Sequence, residues 1–146
     1  MSAIVDFLEG TGRDAAGRTL DQVLAFGDGE LERHHDFIQW LFPLVEASAA
    51  VPGSPVLTPS DVATLQTSGD AQNNLVAASA RMGRFYDDTN HWLRSSDHNH
   101  LRITRIIKSL RLLSGDTAAD AFRRRILARA DGTPVSATSR RYWDAA

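Results

Sequence analysis

Five histidines, at positions 34, 35, 91, 98 and 100, and a concentration of arginines after position 93 are the groups in this chain that bear most directly on chemistry. Neutral imidazole can ligate a metal or relay a proton, so both uses are weighed first. The spacing supports a metal poorly. No His-x3-His pair falls on a predicted helix, no His-Glu-x-x-His occurs, and His98-x-His100 sits at a predicted helix start, where ligand geometry is unspecified. No metal site is expected. Cysteine is absent, which removes thiolate nucleophiles, disulfides and cysteine-based zinc sites. Neither Gly-x-x-x-x-Gly-Lys-Ser/Thr nor Gly-x-Gly-x-x-Gly occurs, so no phosphate loop, dinucleotide fingerprint or other cofactor is indicated. No Gly-x-Ser-x-Gly elbow presents a nucleophile, and no catalytic residue is assigned. What remains of an enzymatic reading is His35 or His98 as a general acid or base.

Two segments carry most of the unusual chemistry. The first is His34-His35-Asp36-Phe37-Ile38-Gln39-Trp40-Leu41-Phe42-Pro43. On a helical wheel Leu31, His34, His35, Ile38, Leu41 and Phe42 share one side, placing His35 inside an apolar stripe, while Trp40 lies nearly opposite. Either the helix is covered on both faces or Trp40 is a partly exposed aromatic. The favoured reading is a buried indole and a core imidazole, each with one hydrogen-bond partner. The functional reading makes His35, Gln39 and Trp40 the wall of a groove for a peptide or small molecule.

The second segment runs from Ser96 to Leu110 and opens with Asp97-His98-Asn99-His100. There, free backbone N–H groups and the positive end of the helix dipole favour an anion, with Arg102 adding a fork. The favoured alternative pairs Arg102 and Arg105 with carboxylates of the acidic first half, fixing one half of the chain against the other. The candidate ligand-binding residues are thus His35, Gln39, Trp40, His98, Asn99, Arg102 and Arg105.

The elements that must position these groups all read as helices. After a short apolar turn at 4–8, Thr19 caps a helix carrying Leu20, Val23 and Leu24, with Gly27 as its end. A second helix is expected over 28–42, stopped by Pro43, followed by a long loop over 46–57. Thr58-Pro59-Ser60-Asp61 is an N-terminal signature, with the acidic residue in the first turn, and Gly69 is read as the close of that helix. From Asp70, the spacing of Ala71, Leu75, Ala78, Met82, Phe85 and Tyr86 predicts a helix of about four turns. Ser96 or Asp97 caps the next, with Ile103, Ile106, Ile107, Leu110 and Leu113 as its stripe and Gly115 as its stop. A helix from Asp116 or Thr117 places Ala119, Phe122, Ile126 and Ala130 together, and Thr133-Pro134 opens a last segment toward Tyr142 and Trp143. No run alternates with strand periodicity. The expectation is an all-α, single-domain bundle of six to seven helices over 1–146.

Charge is unevenly distributed. Residues 1–93 hold 5 Lys/Arg against 13 Asp/Glu and residues 94–146 hold 11 against 5, a net of −8 followed by +6. Such a field could steer a nucleic acid or another anion to the C-terminal half, although packing that compensates the two halves is the favoured reading. No apolar run reaches the roughly 18 residues that span a bilayer, and no basic segment followed by an apolar one marks a secretory signal. A cytoplasmic protein is the default expectation.

The two segments resemble the conserved region of the opioid growth factor receptor family. That family carries a His-x-Tyr/Phe-Ile-Gln-Trp-Leu-Phe-Pro block and later an Arg-Ser-His-Asn-Asn-Leu-Arg-Ile-Thr-Arg-Ile-Leu-Lys-Ser-Leu block, matched here at 34–43 and 96–110. The resemblance spans about 31–142. It implies a peptide-binding receptor domain, whose animal members are named for an enkephalin pentapeptide and are associated with the nucleus and intracellular membranes. The Ala-, Arg- and Asp-rich composition leads to the expectation of a member from a high-GC bacterium. The implied partner is a peptide, small-molecule or protein ligand.

Overall fold

Side-chain caps from Ser2, Thr19, Thr58, Asp97 and Ser136 start five of the helices in the computed structural model, which describes residues 2–146. Among the described residues there are nine helices and no strand, so the chain is all-α. None of the helices is long and apolar enough to cross a membrane. The chain divides into two compact units, Met1–Ala78 and Ser79–Ala146.

In the first unit, α1 (Ala3–Leu8) buries Ile4, Val5, Phe7 and Leu8 and packs against α4 (Ile38–Leu41) and α5 (Pro59–Thr67). The segment read as an apolar turn is therefore a full helix, capped by Ser2. Its far end is held by two long-range bonds: the Asn74 amide donates to Leu8 O at 2.7 Å, and the Ser68 hydroxyl donates to Glu9 at 2.6 Å. Thr19 caps α2 (Leu20–Leu24) with Gln22 closing the box, and Thr58 caps α5 with Asp61 closing its own. Burial pushes the Asp61 carboxyl up, but the Thr58 N–H and hydroxyl donors from Ser2 and Thr58 outweigh it and hold the group below the usual carboxylate range. Gly27 and Gly69 do not end helices. Gly27 caps α3 (Asp28–Arg33), and Gly69 is the first residue of α6 (Gly69–Asp88), which runs for 20 residues rather than about four turns.

The predicted helix over 28–42 is two helices. His34, with ψ at 135°, leaves helical geometry at the end of α3, and α4 begins only at Ile38. The reason lies in burial. Phe37, Ile38, Gln39, Trp40, Leu41 and Phe42 are all buried, and six consecutive residues cannot share one face of a straight amphipathic helix. The break is held by groups distant in sequence: Arg18 bonds Asp36 at 3.0 Å while anchored on Asp14 at 2.7 Å, and the His34 ring stacks on Phe26 at 5.1 Å. Residues 44–58 form an irregular loop with one isolated bridge between Leu44 and Val56.

In the second unit, α7 (His98–Leu113) packs most extensively on α8 (Asp116–Ala130), and α9 (Ala137–Ala145) touches both. The predicted stripes are buried: Ile103, Ile106, Ile107, Leu110 and Leu113 on α7, and Ala119, Phe122, Ile126 and Ala130 on α8. Gly115 joins the two helices at φ +103°, a conformation that a Cβ would strain. The last segment condenses into α9, capped by Ser136, with Trp143 fully buried and Tyr142 exposed. The helix count rises from the expected six to seven because the 28–42 segment splits and both end segments form complete helices.

Candidate functional site

The start of α7 is built around its own carboxylate. Asp97 accepts from the Asn99 N–H at 2.9 Å and from the Asn99 side-chain amide at 3.0 Å, while the Arg94 guanidinium closes on its second oxygen at 2.9 Å. Asn99, fully buried, also accepts from the Tyr86 hydroxyl at 3.0 Å. Burial pushes the Asp97 carboxyl up, but the Asn99 donors, followed by the charges of His98 and Arg94, outweigh it and hold the group low. The positive end of this helix is thus compensated from within the chain. An external anion would meet the Asp97 charge, so the geometry does not favour the anion predicted there.

One turn on, His100 is buried between α7 and α9. Its Nε2 lies 2.8 Å from the Trp92 carbonyl and its Nδ1 lies 2.8 Å from Ser139 Oγ. A carbonyl only accepts, so Nε2 carries a hydrogen, and in the tautomer with that hydrogen alone Nδ1 accepts from the Ser139 hydroxyl. The Ser136 hydroxyl in turn donates to Ser139 Oγ at 3.2 Å. Trp143 packs its ring edge-on to the imidazole at 5.3 Å and donates its indole N–H to His100 O at 3.1 Å. Trp92 is itself held, its N–H shared between Tyr86 O and Thr89 O. These bonds join residues 92–100 to 136–143 as one rigid corner.

A cleft of about 280 Å³ opens on that corner, lined by Ser96, Asp97, His98, His100, Leu101, Thr104, Thr138, Ser139 and Tyr142. Its floor is polar. Two of its lining residues are large and exposed, Leu101 at 72% and Tyr142 at 61%. Apolar side chains left in water beside convergent hydroxyl and imidazole groups are the composition of a small-ligand site.

The predicted site residues divide between the two units. His35 is exposed in the break between α3 and α4, not in an apolar stripe, because the wheel that placed it there assumed one continuous helix. Trp40 is buried edge-on against Phe7 at 5.5 Å, so it walls no open groove. Gln39 is 4% exposed and its amide oxygen is buried without a hydrogen-bond partner. His98 is exposed and lines the cleft, and Asn99 stands behind it in the capping network. Arg102 is buried and Arg105 partly so, and both are engaged. The residues missed were His100 as a pair with Ser139, and Leu101 and Tyr142 as the apolar rim. His100 carried a local signal as part of His98-x-His100, but its partner is 39 residues away and no local pattern points to it.

The C-terminal arginines are largely consumed inside their unit. Arg111 bonds Asp120 and Asp116, each at 2.8 Å, and the Asp120 hydrogen bond foremost raises its pKa. Arg123 bonds Asp144, Arg125 bonds Asp87, Arg129 bonds the carbonyls of Tyr86 and Thr89, and Arg140 bonds those of Ala130 and Val135. The net of +6 already subtracts Asp116, Asp120 and Asp144, but guanidinium groups committed to carboxylates and helix-end carbonyls are not free to fork onto the phosphates of a polyanion. Among the described residues no group of three His, Cys, Asp or Glu side chains could hold a metal ion.

Residues 26–90 match the family model described as the opioid growth factor receptor (OGFr) conserved region. That match contains the first predicted block and stops short of the second. Curated opioid growth factor receptors from mouse, rat and human are similar to the chain at 39%, 38% and 38% identity over 98 aligned positions, in each case covering 55% of the chain. The aligned part amounts to 15%, 17% and 14% of those proteins' own lengths. No solved structure matches.

Proposed function

We propose that the chain is a receptor-like binding domain for a short peptide, a reading supported by the match of residues 26–90 to the opioid growth factor receptor conserved region. The supporting observation is the α7–α9 cleft, where exposed Leu101 and Tyr142 stand beside the hydroxyls of Ser96, Thr104 and Ser139 and the imidazole of His98. Its size narrows the ligand. About 280 Å³ is at or below the lower limit for a drug-sized molecule, enough for one anchoring side chain, with the rest of the peptide lying across the surface. An opioid peptide, the ligand in the relatives' name, supplies aromatic anchors of the right size. The enkephalin pentapeptide is therefore the first probe.

The experiment is calorimetric titration of the chain with that peptide at 50 and 200 mM salt. Binding that weakens about 5- to 30-fold in Tyr142→Ala, the loss of about 1–2 kcal/mol expected when an aromatic anchor is removed, supports the reading. Binding unchanged in Tyr142→Ala and Leu101→Ala, or absent in the parent chain, rejects it. The alternative of a nucleic-acid binder demands an affinity that collapses with salt, by a factor of about 10³ or more for six or more phosphate contacts. The internal pairing of the arginines favours the peptide.

A further inference from the structure

We propose that Ser139 is a nucleophile activated by His100, which makes the α7–α9 cleft an acyl-transfer site for small activated esters. The geometry that points to it is the hydrogen-bond direction. Nε2 of His100 is committed as a donor to Trp92 O at 2.8 Å, which leaves Nδ1 with a lone pair facing the Ser139 hydroxyl at 2.8 Å. The ring cannot turn away, since it is buried edge-on to Trp143. Ser139 is partly exposed and, like His100, lines the cleft. A purely structural staple has no need of that opening, and α9 is already tied down by Trp143 N–H to His100 O and by Ser136 N–H to Ser95 O.

The step balances as follows. Ser139 Oγ bonds to the ester carbonyl carbon as its hydroxyl proton passes to His100 Nδ1. The imidazolium so formed keeps its Nε2–H on Trp92 O. Collapse of the tetrahedral intermediate breaks the bond to the leaving alkoxide, which takes the Nδ1 proton. Water then repeats the sequence on the acyl-serine, releases the acid and restores the pair. Trp92 offers a neutral carbonyl where a carboxylate would stabilise the imidazolium more strongly, which restricts the site to esters with good leaving groups. Leu101 and Tyr142 supply the apolar surface for a small acyl group.

The test is exposure of the full chain to a fluorophosphonate probe, with the modified serine located by peptide mapping, alongside p-nitrophenyl acetate turnover. Ser139 is expected to be labelled ahead of every other serine, with exposed Ser60 as the internal reference. Ser139→Ala is expected to remove the fast labelling and leave only the slow labelling of reference serines such as Ser60, and His100→Gln to slow labelling of Ser139 about 100-fold or more, the lower end for losing a general base. Labelling of Ser139 no faster than Ser60, or equal labelling in a folded His100→Gln variant, overturns the proposal. Mapping on the unmutated chain decides the matter even if His100→Gln fails to fold. No peptide enters the assay, so an unreactive Ser139 leaves the peptide-binding reading standing, and a failed peptide titration leaves this proposal standing.

Discussion

Replacing Asp97 with Ala removes three things at once, and the structure supplies a magnitude for each. The helix cap on Asn99 N–H at 2.9 Å contributes about 1 kcal/mol. The buried Asn99 amide loses its charge-assisted bond to the same carboxylate at 3.0 Å, at a cost of about 1–3 kcal/mol. The Arg94 pair adds under about 1 kcal/mol, because that guanidinium side chain is 66% exposed. The expected loss is about 2–5 kcal/mol, or roughly 6–15 °C in midpoint at about 3 °C per kcal/mol for a chain of this length. Asp97→Asn keeps an acceptor oxygen and is expected to lose under about 1.5 kcal/mol. Paired thermal and urea unfolding of the three proteins measures both. The Asp97 carboxyl is held low in the folded chain, so its charge stabilises the fold above the unfolded carboxylate pKa of about 3.9 and ceases to do so as pH falls through the lower folded value. The gap between the parent chain and Asp97→Asn is therefore expected near neutrality and to close in acid. An Asp97→Ala variant within about 0.5 kcal/mol of the parent, or a gap that widens in acid, refutes the reasoning, since additive losses of this size lie well outside the error of such measurements.

Two further substitutions test packing that the fold makes unusual. Gln39→Met replaces a buried amide whose oxygen has no partner with an apolar chain of similar length, and is expected to stabilise by up to about 1 kcal/mol in thermal unfolding. A loss greater than that would show the amide to be paired in solution. Gly83→Ala would set a Cβ against Nη1 of Arg125 and 2.6 Å from its Cζ, so the guanidinium must swing off Asp87. The exposed pair it gives up is worth about 0.2–1 kcal/mol, and alanine returns about 0.8–1 kcal/mol of helix propensity, so the net change in urea unfolding is expected to be near zero. A loss above about 2 kcal/mol would mean that Arg125 is wedged rather than merely paired.

The amino-acid sequence determined what acts within about one helical turn. Thr19 with Gln22, Thr58 with Pro59 and Asp61, and Asp97 over Asn99 are caps whose donors and acceptors lie two or three residues apart, so helix starts were legible. The buried faces of α7 and α8 followed from apolar spacing for the same reason. Tertiary structure decided the rest. The break at 34–37 is held by Arg18 and Phe26, which are distant along the chain, and once it forms, the wheel that buried His35 no longer applies. Gly27 and Gly69 were read as stops because glycine ends helices, but here each begins one. The His100–Ser139 pair, the seat of Trp143 and the partners of the arginines join groups well separated in sequence. A polar side chain's residue type states that it needs a partner when buried, whereas only the packing of elements brings a particular partner within bonding distance.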